Sequence, residues 1–259
     1  MELDIYDVFV GESASGNPCG VLELSHWLSD QELHRITREA NQPVTSFITN
    51  IDGQFHIRWF SLEGEINLCG HGSLGAGAAI LSKYKLGGVQ FNSKHGEVTV
   101  SKKNGLYTLV LPLWEGKPCT VPAEITSLAS DVIDAFSTRD LVLVLPTKES
   151  VVQFKTNDDL LRKLSGYHAL IVTAANGENS YVLRYFAPKI GISEDLATGS
   201  AQCSLAAYWF KKLGTERLSV HQLSSSGGYF EVERTSENLV TVLADAKRRE
   251  KRGETLHVR

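Results

Sequence analysis

Two short stretches of this 259-residue chain combine turn glycines with polar side chains just before an Ala-rich segment. One reads Cys69-Gly70-His71-Gly72-Ser73-Leu74. The other reads Thr198-Gly199-Ser200-Ala201-Gln202-Cys203, half a chain length further on. A glycine in such a turn lets the backbone approach a ligand closely. The first amides of the helix that follows lack internal partners and sit at the positive end of its dipole. A carboxylate or phosphate there is held by geometry already present. Either turn alone could equally be a tight strand-to-helix connection without a ligand. Two at matching positions favour a duplicated chain and one small anion held in a cleft between two lobes.

The side chains around these turns suggest proton chemistry. His71 opens a helix, where the dipole disfavours the protonated ring, so a neutral imidazole can pass or donate a proton. Asp195 follows Glu194 just before Thr198; it either caps its own loop or acts on the ligand. Asn17, in Gly16-Asn17-Pro18-Cys19-Gly20, reads as part of a turn whose amide could reach a ligand. The candidates are therefore His71 and Asp195 as catalytic groups, with Asn17, Cys69, Gly70, Thr198, Gly199 and Ser200 as binding groups.

The elements that must position them follow from periodicity and punctuation. Alternation predicts a strand over Leu3 to Val10, a turn over Gly11 to Pro18 and a strand over Cys19 to Leu24. Ser29 with Glu32 forms a capping box that starts a helix ending near Ala40, before Asn41-Gln42-Pro43. Strands are expected at Val44 to Thr49 and Phe55 to Phe60, a helix from Gly70 to Tyr84, and strands at Glu97 to Val100 and Tyr107 to Leu111. Pro112 to Pro122 reads as a linker, which divides the chain into lobes 1–117 and 118–259, with the last strand or tail free to pack back on the first lobe. The second lobe is expected to hold helices at Ile125 to Phe136, Asp158 to Leu164 and Ser200 to Leu213. Its strands are expected at Asp140 to Leu145, His168 to Thr173, Tyr181 to Phe186, Leu218 to Gln222, Tyr229 to Glu233 and Leu239 to Leu243.

Composition narrows the function classes. Apolar residues make up 42% and charged residues 22%, the balance of a globular protein with a substantial core. The formal net charge of -4 gives no basic field for nucleic acid. The basic residues at Lys247, Arg248, Arg249, Lys251 and Arg252 read as a solvated tail. No run is long and apolar enough to span a bilayer, and the first residues carry no basic and apolar leader pattern, so a cytoplasmic protein is expected. Cys19, Cys69, Cys119 and Cys203 are too scattered for a zinc site or a disulfide scaffold. No metal and no nucleotide cofactor is expected, since neither glycine turn has a phosphate-loop or dinucleotide pattern.

Several segments together resemble the phenazine-biosynthesis PhzF-like family, which shares its fold with diaminopimelate epimerase. They are Gly16-Asn17-Pro18, Arg58-Trp59-Phe60, Glu65 to His71, Arg184-Tyr185-Phe186-Ala187-Pro188, Gly191 to Asp195 with Thr198 to Ala201, and Gln222 with Gly227-Gly228. The resemblance implies an α+β fold of two pseudo-symmetric lobes, each a curved sheet or barrel wrapped around a central helix. It also implies a cofactor-independent isomerase that moves a proton on a small carboxylated metabolite, in a protein type that commonly forms homodimers. Gly70, His71, Asp195, Gly199 and Ser200 would line the substrate site.

One departure stands out. Where the family carries its acid/base glutamate, within Asn-Leu-Ser-Glu-Thr-Ala-Phe, this chain reads Asn41-Gln42-Pro43-Val44-Thr45-Ser46-Phe47, and valine cannot transfer a proton. The related epimerases use two cysteines; Cys69 matches the first, and Thr198 stands at the second. Either another group carries the proton, or the protein binds a small anion without turning it over, or the reaction needs only one acid/base.

Overall fold

The computed structural model describes residues 2–128 and 130–250. The chain divides into two compact units, Met1–Val110 with Leu243–Arg259, and Leu111–Val242.

In the first unit the chain runs β1 (Asp4–Val10), β2 (Asn17–Leu24), α1 (Asp30–Ala40), β3 (Val44–Ile51), β4 (Gln54–Ser61), β5 (Gly64–Ile66), α2 (Gly70–Tyr84), β6 (Gly88–Ser93), β7 (Gly96–Lys103) and β8 (Leu106–Pro112). Its sheet order is β1-β2-β3-β4-β6-β7-β8, with β5 on β4. The pairs β2–β3 and β4–β6 are parallel. Each needs a crossover, and α1 and α2 supply them on opposite faces of the sheet. Ser29 caps α1 by accepting the Glu32 amide, as the capping box predicts, and Asn41 ends the helix in the left-handed region. α1 lays Leu33 and Ile36 on Leu22, Leu24, Phe47 and Phe60. By strand alternation the other face of β3 and β4, with Ser46 and Trp59, belongs to α2.

α2 is enclosed rather than amphipathic, with eleven of its residues from Gly70 to Leu81 buried. Its small side chains let the sheet close in. A Cβ on Gly75 would lie 2.3 Å from Cys19 Sγ, and one on Gly77 would lie 2.4 Å from Val100 Cγ1.

The second unit repeats this plan. It contains β9 (Lys117–Pro118), β10 (Asp134–Ser137), β11 (Leu141–Val144), α3 (Lys148–Gln153), α4 (Asp158–Lys163), β12 (Leu170–Ala175), β13 (Ser180–Phe186), α5 (Gln202–Leu213), β14 (Arg217–Gln222) and β15 (Gly228–Ser236). The order is β9-β10-β11-β12-β13-β14-β15. Again two pairs are parallel, β11–β12 across α3 and α4, and β13–β14 across α5. The outer helices bury Val151, Phe154, Leu161 and Leu164 against Leu143, Val172 and Phe186. On the inner face Tyr181 stacks on Trp209 of α5, whose indole donates to Thr173 Oγ1. The last strand, β16 (Leu239–Arg248), pairs its end with β1 from Tyr6↔Arg248 to Val10↔Asp245.

Four expectations need correction. Residues 125–136 are not a helix. A 3-10 turn over Ala123–Leu128 is followed by strand β10, and residue 129 lies outside the described residues. Ala135 joins the outer core while Phe136 stacks on Tyr208, so a short strand covered on both faces leaves no alternation to read. Asn17-Pro18 is not a turn but the start of β2. Pairing with β3 begins only at Cys19, so Pro18 needs no amide on that side. The linker 112–122 contains β9, paired with Phe136 and Ser137. Lys247 and Arg248 belong to β16, and Arg248 and Arg249 pair with Asp4 and Asp7; Lys251 and Arg252 lie outside the described residues.

The packing of α2 gives a direct test. Alanine inside a helix is normally favoured over glycine by about 1 kcal/mol. At Gly77 the added methyl must displace Val100, and overpacking of this kind costs about 1–3 kcal/mol. Gly77→Ala is therefore expected to lower stability in urea unfolding. Gly87→Ala, where a Cβ meets nothing within 4 Å, should change it by less than about 0.5 kcal/mol.

Candidate active site

The first cluster forms at the start of α2. Cys69 is the cap, and its sulfur accepts the Gly72 amide at 3.3 Å. The first bond of the helix backbone runs from Ser73 N–H to Cys69 O, so the Gly70 and His71 amides precede it. Ser46 Oγ donates to Gly72 O, and Cys19 Sγ to His71 O. A Cβ on Gly72 would lie 2.8 Å from Ser46 Oγ, 2.9 Å from Trp59 Cδ1 and 3.2 Å from Cys69 Sγ. Glycine is thus required for this turn to sit against β3 and β4.

His71 is only 9% exposed, and burial alone pushes its pKa down to about 4. Its Nδ1 lies 3.3 Å from Cys69 Sγ. Its Nε2 is buried without a hydrogen-bond partner among the described residues, as is the nearby Trp59 Nε1. Buried polar atoms of this kind point to a ligand that completes them.

The pair can carry a proton without charging the imidazole. With the thiol protonated, S–H donates to Nδ1 and Nε2 bears the ring proton. If Nε2 gives that proton to a ligand while S–H passes its own to Nδ1, the pair ends as a thiolate accepting from Nδ1–H. The Gly72 amide and the helix dipole favour that thiolate. A neutral ring suits this exchange, and its low pKa keeps it neutral.

Val44 opens β3 and is buried. It lies two residues before Ser46 on the strand face that meets α2. Asn17 is fully buried at the start of β2, on the same strand face as Cys19.

The second cluster forms before α5. Thr198 N–H donates to Gln222 Oε1 at 2.8 Å, and Gln222 Nε2 donates to Asp195 O and to Thr198 Oγ1. Thr198 Oγ1 donates to Asp195 Oδ2 at 2.6 Å, so one role of this carboxylate is to fix its own loop. Arg184 clamps the loop through a two-armed pair with Glu194 at 2.7 and 2.9 Å. Gly199–Ala201 forms a 3-10 turn ahead of α5, so the expected helix start at Ser200 is wound more tightly.

The structure thus groups Cys69, Gly70 and His71 in one unit, and Asp195, Thr198, Gly199 and Ser200 in the other. Spacing did not reveal Ser46, Trp59 or Gln222. They enter through strand register, although Trp59 and Gln222 stand in the segments that carry the family resemblance. Among the described residues no cluster of three or more His, Cys, Asp or Glu could hold a metal, and no helix is long and apolar enough to cross a membrane.

This architecture is the mixed α+β fold of the diaminopimelate epimerase type. A hydroxyproline epimerase from Agrobacterium vitis shares it at TM-score 0.61 and 9% identity, over 96% of this chain and 92% of that one. The family model for phenazine biosynthesis-like proteins, PhzC-PhzF, matches residues 6–257, and the chain belongs to that family. A PhzC/PhzF protein from Clostridium difficile strain 630 superposes at TM-score 0.89, with 32% identity over 96% of this chain and 97% of that one. A Vibrio cholerae relative, named an uncharacterized isomerase, is 73% identical over 96% of this chain and 89% of its own length.

The buried imidazole makes stability depend on pH. In the unfolded chain His71 takes up its proton near 6.5, and in the folded protein only near 4. Its contribution is complete above 6.5 and is lost as pH falls from 6.5 toward 4. The loss is expected to reach roughly 3 kcal/mol. His71→Asn should flatten the urea-unfolding profile between pH 4.5 and 7 relative to wild type. The His71 ring signals in NMR should not titrate near 6.5.

Proposed function

We propose that this chain is a cytoplasmic, cofactor-independent isomerase that moves a proton on a small carboxylated molecule. The observation that carries the reading is the Cys69–His71 contact at 3.3 Å with the opposite ring nitrogen buried and unpartnered among the described residues. In the first unit the backbone amides at Gly70 and His71 are offered to carboxylate oxygens, and in the second unit those at Gly199 and Ser200 are offered likewise. From its thiolate form, with Nδ1 protonated, the Cys69–His71 pair takes a proton at Nε2 from a carbon beside the carboxylate while Nδ1–H passes its own to sulfur, and the reverse transfer delivers a proton to another carbon. Trp59 N–H steadies an oxygen on which negative charge builds up. Asn17 lines the same strand face, and Asp195 holds Thr198 in place and serves as a second proton-handling group. The relative from Vibrio cholerae, named an isomerase, supports the reaction class, and the bare Val44 position requires that the proton be carried by other groups.

The test is deuterium uptake from solvent into a panel of small cyclic and amino carboxylates. Cys69→Ala and His71→Ala should each slow uptake by about 10²–10⁴-fold. Uptake that survives unchanged in both His71→Ala and Asp195→Ala would overturn these roles.

Val44 supports a second reading, that of a binding protein that kept the site without its chemistry. That reading requires carboxylates to raise the unfolding temperature of the wild type while no deuterium enters them. Turnover by the wild type excludes it. Gain of exchange in Val44→Glu would mean that only the carboxylate was lacking.

A further inference from the structure

Arg139 lies in the turn between β10 and β11, beside the fully buried Asp140. One edge of its guanidinium meets that carboxylate in two bonds, Nε to Oδ1 at 3.1 Å and Nη2 to Oδ2 at 3.0 Å. Nη2 also donates to Tyr185 Oη at 3.2 Å, and the ring of Trp114 lies under the group at 5.5 Å. The group is therefore fixed in plane and position. Nη1 makes no hydrogen bond among the described residues, and the side chain is 38% exposed. A guanidinium immobilised on one edge and open on the other is a ready receptor for an oxyanion.

Three features place it at the start of α5. Asp140 Oδ2 lies 3.5 Å from Ser204 Oγ in the first turn of α5, and Ser204 Oγ meets Thr138 Oγ1 at 2.7 Å. Ser200 stands four residues before Ser204, in the 3-10 turn that leads directly into α5. Tyr185 lies between Arg184 and Phe186 in β13, as Trp59 lies between Arg58 and Phe60 in β4. Trp59 packs against the first turn of α2, so the repeated plan sets Tyr185 at the corresponding turn. The β10–β11 turn also repeats the β1–β2 turn, which leads into Asn17. None of the segments that carry the family resemblance includes residue 139.

We propose that Arg139 is the specificity-determining residue of this site: its open edge takes a second anionic group, so the substrate is a small dianion of the dicarboxylate class. This rests on the reading that the Gly199 and Ser200 amides hold a first carboxylate. Four residues across the 3-10 turn and the start of α5 rise roughly 6–8 Å, which a chain of a few carbons spans. Asp140 offsets part of the Arg139 charge and fixes the guanidinium before the ligand arrives, leaving the Nη1 donors for it.

The experiment compares glutarate, a dianion, with valerate, a monoanion of equal carbon count, by calorimetric titration. Wild type should bind glutarate about tenfold or more tightly than valerate, the worth of one charge-assisted pair. Arg139→Gln should reduce that preference to about twofold or less and leave valerate binding unchanged. Because this variant leaves Asp140 buried without its partner, the double variant Arg139→Gln/Asp140→Asn, which removes both charges, is measured beside it with the same expectation. A wild type that binds the two probes equally, or a preference that survives in the folded variants, overturns the assignment and leaves carboxylate binding standing. A wild type that binds neither probe overturns both.

Discussion

A helix enclosed on every side by its own sheet is the constraint on which the first unit depends. α2 cannot present one apolar stripe, because sheet surrounds it, and at positions 75 and 77 it cannot carry a side chain, because Cys19 and Val100 occupy the space where it would go. Glycine is what remains there, and glycine is a poor helix former. The helix therefore stands on its enclosure and not on its own propensity. The same enclosure decides the chemistry. In its buried part, the first turn leaves over the Gly70 and His71 amides and the His71 Nε2, and burial there keeps His71 neutral. Packing and proton handling are two results of one geometry.

On the proposed reading, the neutral His71 answers the lack of a carboxylate at Val44. A buried carboxylate acts as acid and base by gaining and losing charge in one place. A buried thiol–imidazole pair moves the charge onto a sulfur already facing an amide N–H and a helix dipole, at a contact of 3.3 Å. Valine at position 44 is buried and adds no charge of its own. In the proposed reaction the chain departs from the family pattern at Val44 and assigns that task to the pair four residues into the resemblance motif Glu65 to His71.

How much of this was legible in the sequence depends on how local each signal was. α1 and α2 could be read almost to the residue, because Ser29, Asn41 and the glycine-led start at Gly70 are local chemistry. β6, β5 and α3 were missed, being runs of three to six residues that hold their shape through neighbours. Residues 125–136 were misread because a short strand buried on both faces has no period. Among candidate site residues, His71, Cys69 and Thr198 can be picked out because they flank glycines, and Asp195 because it stands just before one of those turns. Trp59, Ser46 and Gln222 become part of the site only through pairings such as Ser46↔Trp59, which depend on register. No spacing rule could supply that.

The two units also show how a duplicated plan can divide labour. In each, an arginine clamps a glutamate and rests on a phenylalanine two residues on: Arg58 with Glu65 over Phe60 at 5.1 Å, and Arg184 with Glu194 over Phe186 at 4.9 Å. The residue between them points the other way, toward the central helix, and there the halves differ. Trp59 meets a cysteine-capped turn with a buried imidazole; Tyr185 meets a fixed guanidinium. The outward residues hold the shared frame, so they are not free to vary. The inward positions are where the halves differ, and on the proposed reading one turn moves protons and the other holds charge.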